Sequence, residues 1–185
     1  MSRYYENLIE TVLEKSYSHV WNLAVEEWEI IDCEEDACRE NSCLCGKENL
    51  RYLFTIRNME NGNILSPIGS SCIRKFGRAD LREQTQVQED MFRLLHAVEK
   101  DDFITLDSRY FSRKLIVELY EQGAFPPNEF NYFNGENDCQ FLIDMFNKRD
   151  KTNITPSQHR KIRGLIGYSI RPFLQEKLKN KIINK

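Results

Sequence analysis

Four of the six cysteines fall between Cys33 and Cys45, and two of these, Cys43 and Cys45, stand one residue apart. A direct disulfide across that spacing is strained, whereas two thiolates so placed suit a single metal ion. Gly46 follows at once, and a glycine there lets the backbone curl round a cation. Further on, Gly69-Ser70-Ser71-Cys72 brings another thiol to the start of a short expected helix, whose positive end favours a thiolate. Cys33 lies at the end of an expected strand. Together, Cys33, Cys43, Cys45 and Cys72 would close a tetrahedral zinc site of the structural kind, lending folding energy to a segment with few apolar residues. Cys38 competes for the position given to Cys33, which is preferred because a strand end is better fixed than mid-loop. The plainer alternative is a set of ordinary thiols, some of them buried. Cys139 stands alone in a helical stretch and reads as core packing.

Cysteines in clusters are metal ligands more often than disulfides when the compartment is reducing. Two features point that way. The N-terminal run Met1 to Glu10 carries acidic residues where a leader would be apolar, and no apolar run approaches the ~18 residues of a membrane span. The expectation is a cytoplasmic protein that makes no use of a membrane. The hydrophobic share of 41% is enough for a true core.

The apolar periodicity predicts an α+β chain. Tyr5, Ile9, Val12, Leu13, Val20 and Leu23 predict a helix over 4–25, and Trp28 and Ile30 a short strand over 27–32. The stretch 33–49 reads as loop. Alternation of Tyr52, Phe54 and Ile56 predicts a strand over 50–57, and Asn61-Gly62 a tight turn into a returning strand over 63–67. Ser70 or Ser71 is expected to cap a short helix ending near Gly77. Beyond it the pattern is helical. One helix runs from an Asp80 cap to about Val98, a second from an Asp107 or Ser108 cap to Gly123, a third over 136–148. Thr155-Pro156-Ser157-Gln158 has every part of a helix start: cap, proline in the first turn, and capping-box glutamine. Pro172 then kinks or restarts that helix. The expected layout is a zinc-bound β-hairpin module on an N-terminal helix over 1–79, then an all-helical domain over 80–185 with basic C-terminal helices.

Three segments carry a resemblance: Cys43-Leu44-Cys45-Gly46-Lys47-Glu48-Asn49-Leu50, the strand Tyr52 to Asn58, and Pro67-Ile68-Gly69-Ser70-Ser71-Cys72-Ile73-Arg74-Lys75-Phe76. Over residues 28–80 the chain resembles a family of small, mostly uncharacterised zinc-module proteins. They are encoded by phages, prophages and integrative elements of low-GC Gram-positive bacteria. The Thr155 helix is weakly similar to helices of mobile-element proteins. The resemblance implies a zinc fold and a setting in a bacterial host cell, where anti-CRISPR and other host-defence inhibitors are found. Cys38 departs from the family pattern and leaves the fourth ligand open.

Charge is distributed unevenly. Residues 1–80 carry 9 basic and 14 acidic side chains, 81–146 carry 6 and 13, and 147–185 carry 11 and 2. Only the last segment should attract nucleic acid. Its candidate contacts are Lys148, Arg149, Lys151, Arg160, Lys161, Arg163 and Arg171, with Arg160, Lys161 and Arg163 projecting from a helix whose apolar side is Ile162, Leu165, Ile166 and Ile170. The competing reading is a solvated helix face. No histidine pair, H-E-x-x-H, P-loop or G-x-G-x-x-G occurs. His19 and His96 read as structural, while His159, beside Arg160 and Lys161, is the one catalytic candidate, for acid–base cleavage of RNA. Asp101, Asp102 and Asp107 have the chemistry to hold magnesium but read better as helix starts and loop solvation. The expected function is therefore a zinc protein that engages nucleic acid, RNA before DNA, or a host nucleoprotein complex. Ribonuclease, and accessory factor of phage replication or recombination, are the alternatives.

Overall fold

The apolar stripe of the first helix stops sooner than its periodicity suggests. In the computed structural model, which describes residues 2–100 and 102–184, helix α1 spans Arg3–Lys15. Asp101 and Lys185 lie outside the described residues. The Ser16 hydroxyl, buried, donates to the Val12 carbonyl at 2.8 Å and accepts the Trp28 indole N–H at 2.9 Å. The chain turns there, and a four-residue helix α2 follows at Trp21–Ala24. Leu8 and Val12 are buried, but Val20 and Leu23 are 58% and 61% exposed, so the last two members of the expected stripe do not face the core.

Strand β1 spans Trp28–Asp36 and absorbs the start of the stretch expected as loop. It pairs antiparallel with β2, Tyr52–Asn58, which pairs antiparallel with β3, Ile64–Ile68. A two-residue strand β4, Ile182–Ile183, lies parallel to the far end of β1, opposite Glu35 and Asp36. The order is β3-β2-β1-β4. Trp28, Cys33, Phe54, Ile56 and Ile68 are buried from this sheet. The expected all-helical run to the C-terminus thus ends in a strand. Sequence alone hides it, because two residues of β-type sequence among lysines carry no periodic signal.

The β2–β3 connection is not the two-residue turn that Asn61-Gly62 suggested. Gly62 has φ 75°, but Asn61 is not in the left-handed region. Instead the Asn58 side chain accepts the N–H groups of Glu60 and Asn61 (2.9 and 3.1 Å), opening a wider loop. The amides of Asn61 and Asn63 then donate to the Lys15 carbonyl at 3.0 and 2.8 Å, tying the loop to the end of α1. A third short helix, α3, is Ser70–Ile73. Gly69, not a serine, precedes it, and the turn that follows ends on Gly77 with φ 78°.

Helix α4 is Ala79–Glu99, with Leu81, Met91, Leu94, Leu95 and Val98 buried as its spacing requires. Helix α5 is Arg113–Glu121. Its cap is Ser112, whose hydroxyl accepts the Leu115 N–H at 3.1 Å, so neither Asp107 nor Ser108 starts it. Helix α6, Gly135–Asn147, packs on α5, and the buried Cys139 thiol approaches the Ile116 carbonyl at 3.9 Å. Helix α7, Pro156–Leu165, begins with the expected capping box: Thr155 Oγ1 accepts the Gln158 N–H at 3.2 Å, and Gln158 Oε1 accepts the Thr155 N–H at 3.0 Å. A π-helical turn over Ile166–Ile170 precedes α8, Arg171–Leu178, with Pro172 in its first turn, where a missing N–H costs least.

The chain divides into two compact units, one of residues 2–88 with 180–184 and one of Glu89–Lys179. The sheet and the cysteine cluster belong to the first, α5 to α8 to the second. No helix among the described residues is long and apolar enough to cross a membrane.

Candidate functional site

The loop from β1 to β2 is held by Asp36 at its root. This carboxylate is fully buried and accepts the N–H groups of Cys38 and Arg39 on one oxygen and of Glu40 and Asn41 on the other, all at 2.8–3.1 Å. The Asn41 side chain adds a bond at 2.9 Å, and Asn184, just past β4, another at 3.2 Å. Burial would raise the pKa of Asp36, but these donors, Asn41 foremost, hold it down at about 2. The loop then tightens into a knuckle. The Cys43 N–H donates to the Lys47 carbonyl (2.8 Å) and the Gly46 N–H to the Cys43 carbonyl (2.7 Å), with Gly46 at φ 92°. The Asn7 side chain of α1 donates to the Cys45 carbonyl at 3.2 Å.

The knuckle faces α3, and three buried thiols meet. The Sγ atoms of Cys43, Cys45 and Cys72 all lie within 4.8 Å of one another, with Cys43 to Cys72 at 3.7 Å and Cys72 to Cys45 at 3.4 Å. A zinc ion with ~2.3 Å bonds to sulfur sets tetrahedral ligands about 3.8 Å apart, so these separations fit one ion. The Gly69 N–H donates to Cys43 Sγ at 3.3 Å, the kind of outer contact that orients a metal-bound thiolate. A side chain at 69 would not fit freely, since a Cβ there would lie 2.9 Å from Leu50 Cδ2.

The charge state of the cluster is consistent with a cation. The adjacent Cys72 thiol, with the N–H groups of Cys45 and Gly69, pulls Cys43 down to about 5 despite its burial. Cys72, hydrogen-bonded to that thiolate and itself buried, is pushed up. One thiolate forms readily and suppresses the next, and a divalent ion among the sulfurs removes that conflict.

The structure brings together three of the four expected ligands. Cys33 lies within β1 opposite Phe54, buried, and is not in the cluster. Cys38 is exposed, outside it as well. A cavity of about 540 Å³ borders Cys45 and Cys72, with Tyr4, Glu48, Asn49 and Lys75 among its walls.

The basic residues of the second unit divide sharply. The Lys148 ammonium donates to the Asn153 carbonyl and to Gln158 Oε1 at 3.0 and 3.3 Å. Lys151 donates to the Met145 and Phe146 carbonyls at 2.9 and 2.7 Å, closing the C-terminal end of α6. Lys161 does not project freely outward. It lies 2.8 Å from the buried Asp138 as an ion pair rather than an aligned hydrogen bond, and 4.8 Å from the Phe141 ring centre. Arg149, Arg160 and Arg163 are exposed, and Arg171 is half-buried. His159 is exposed on α7 and shares a cavity wall with Arg163 and Lys151 of the basic segment, and with Arg109 and Asp107, which the sequence did not group with it. Asp107 and Asp102 do not gather with other carboxylates into a metal-binding cluster among the described residues.

Compared with known proteins, the chain matches no family model, no curated protein and no solved structure.

Proposed function

We propose that Cys43, Cys45 and Cys72 hold a zinc ion in a structural role, and that the protein is a binding protein that engages nucleic acid or a nucleoprotein complex. The observation that carries the first part is the meeting of three buried sulfurs at tetrahedral spacing. A donor set of three thiolates favours zinc over magnesium or calcium, and zinc brings no redox chemistry. Bound there, it would link the loop to α3 and stand in for apolar burial.

The second part is supported by the excess of 11 basic over 2 acidic residues in 147–185. Exposed Arg149, Arg160 and Arg163 are the cations of that segment best placed for phosphate. Action on a host defence complex rests on the sequence resemblance alone. A ribonuclease is the second reading, favoured by His159 sharing a cavity wall with Asp107.

Metal analysis tests the first part. Purified protein should carry about one zinc per chain. Serine at 43, 45 or 72 should strip it, while serine at 33 or 38 should leave it in place. Metal-free protein that is nonetheless folded would sink the proposal. For the second part, RNA and DNA are incubated with the protein and run on native and denaturing gels. A salt-sensitive shift with intact strands supports binding, and shortened strands lost on His159→Ala support the ribonuclease.

A further inference from the structure

The segment after α4 folds into a turn rather than a helix because Asp107 ties it to itself. Its carboxylate accepts the Arg109 N–H at 2.8 Å and the Thr105 hydroxyl, and its carbonyl accepts the Phe111 N–H at 2.9 Å. Together with α7 this turn encloses a cavity of about 510 Å³, within the ~300–1,000 Å³ of small-ligand sites.

Its chemistry is two-sided. Ile104, Leu106, Ile154 and Ile162 make an apolar floor, and Phe103 stands at the edge with 78% of its surface exposed. Against them stand Arg109, Lys151, Arg163 and His159. His159 and Arg163 share one face of α7, four residues apart, with Ile162 between them. Lys151 is held in place by two carbonyls, which leaves one of its three N–H donors for another acceptor. Asp107 stays ionised: burial raises its pKa, but the Thr105 hydroxyl, the Arg109 N–H and the charges of Arg109 and Lys151 bring it below the usual value.

A ligand for such a site needs a flat apolar part for the floor and Phe103, an anion for the cations, and an N–H or O–H donor for Asp107. A nucleotide has all three. In a duplex the faces and edges of a base are taken up by stacking and pairing, so only an unpaired base can enter. We propose that this cavity holds one unstacked nucleotide of a single-stranded nucleic acid, its base against Phe103 and Ile162 and its phosphate between Lys151 and Arg163. The proposal rests on the nucleic-acid reading above and names the element of the strand that is recognised.

Fluorescence anisotropy with a labelled ten-nucleotide RNA, the matching DNA and a duplex tests it. Melting curves confirm that each variant is folded. Single strands should bind more tightly than duplex. Phe103→Ala should weaken single-strand binding roughly 5- to 150-fold, the range of one lost base–aromatic stack, and should leave duplex binding unchanged. Arg160→Ala, a cation outside the cavity wall, should lower binding of both forms alike. If single strands bind but Phe103→Ala and Arg163→Ala have no selective effect on them, the cavity is not the site and the nucleic-acid reading stands. If no strand binds at all, that reading falls and the cavity proposal with it. Comparing RNA with DNA shows whether the ribose hydroxyl is read.

Discussion

Lys161 and Arg160 are neighbours in sequence and opposites in use. Lys161 lies against Asp138, whose side chain is 3% exposed and whose other oxygen accepts the Asn131 amide at 2.8 Å. Removing the ammonium leaves a buried carboxylate without its counter-charge. Lys161→Ala should therefore cost about 1–3 kcal/mol of stability, seen as a lower urea midpoint. Arg160→Ala should leave that midpoint unchanged while weakening nucleic-acid binding and reducing its salt dependence. A cation in a basic run can thus be a strut or a contact, and the burial of the acid that faces it decides which. No pattern of lysines and arginines along the chain carries that information, because the acid comes from another helix.

At the scale of elements, the root of the β1–β2 loop is the sensitive point. The pKa of Asp36, about 2 in the folded protein, lies below the ~3.9 of an unfolded chain. Its stabilising effect is fully present above about pH 4 and is lost as pH falls toward 2. Asp36→Ala should lower the melting temperature at pH 7 and weaken zinc binding, because Cys43 rides on the loop that Asp36 holds. It should also flatten the acid limb of the stability curve between pH 4 and 2, which a pH series of thermal melts would show. Local signals made much of the fold legible. Thr155, Pro156 and Gln158 announce α7 because all the groups of a capping box lie within four residues. Cys43, Cys45 and Gly46 announce the tight cysteine knuckle for the same reason. The sequence pattern ends β1 at Asp32, four residues short, because its last stretch, Cys33-Glu34-Glu35-Asp36, looks like acidic loop. It is strand because Arg51 reaches Glu35 at 2.8 Å and the N–H groups of residues 38–41 solvate Asp36. That misplacement also put Cys33 at a strand end beside the loop, and so into the ligand set, when it lies within the strand.

At the scale of the molecule, the first unit is discontinuous in sequence. Ile182 and Ile183 pair with Glu35 and Asp36, Lys181 forms an ion pair with Asp32, and Asn184 reaches Asp36. Deleting residues 181–185 should thus lower hydrogen-exchange protection at 33–41, far away in sequence, while α5 and α6 keep theirs. A chelator should have its largest effect at the knuckle and α3, and a fall in protection confined to α5–α8 would contradict the assignment of metal to the first unit.

The Asn184–Asp36 bond, across 148 residues of chain, also sets an order of events during synthesis. A ribosome adds roughly 5–20 residues per second, so Asp36 waits on the order of ten seconds before its last partner exists. In that interval the knuckle has its thiols, the hairpin and α3, but not the edge strand that completes the sheet. Zinc captured early would hold the nascent segment together while the helical unit emerges, and would cover for a strand that the ribosome has yet to make.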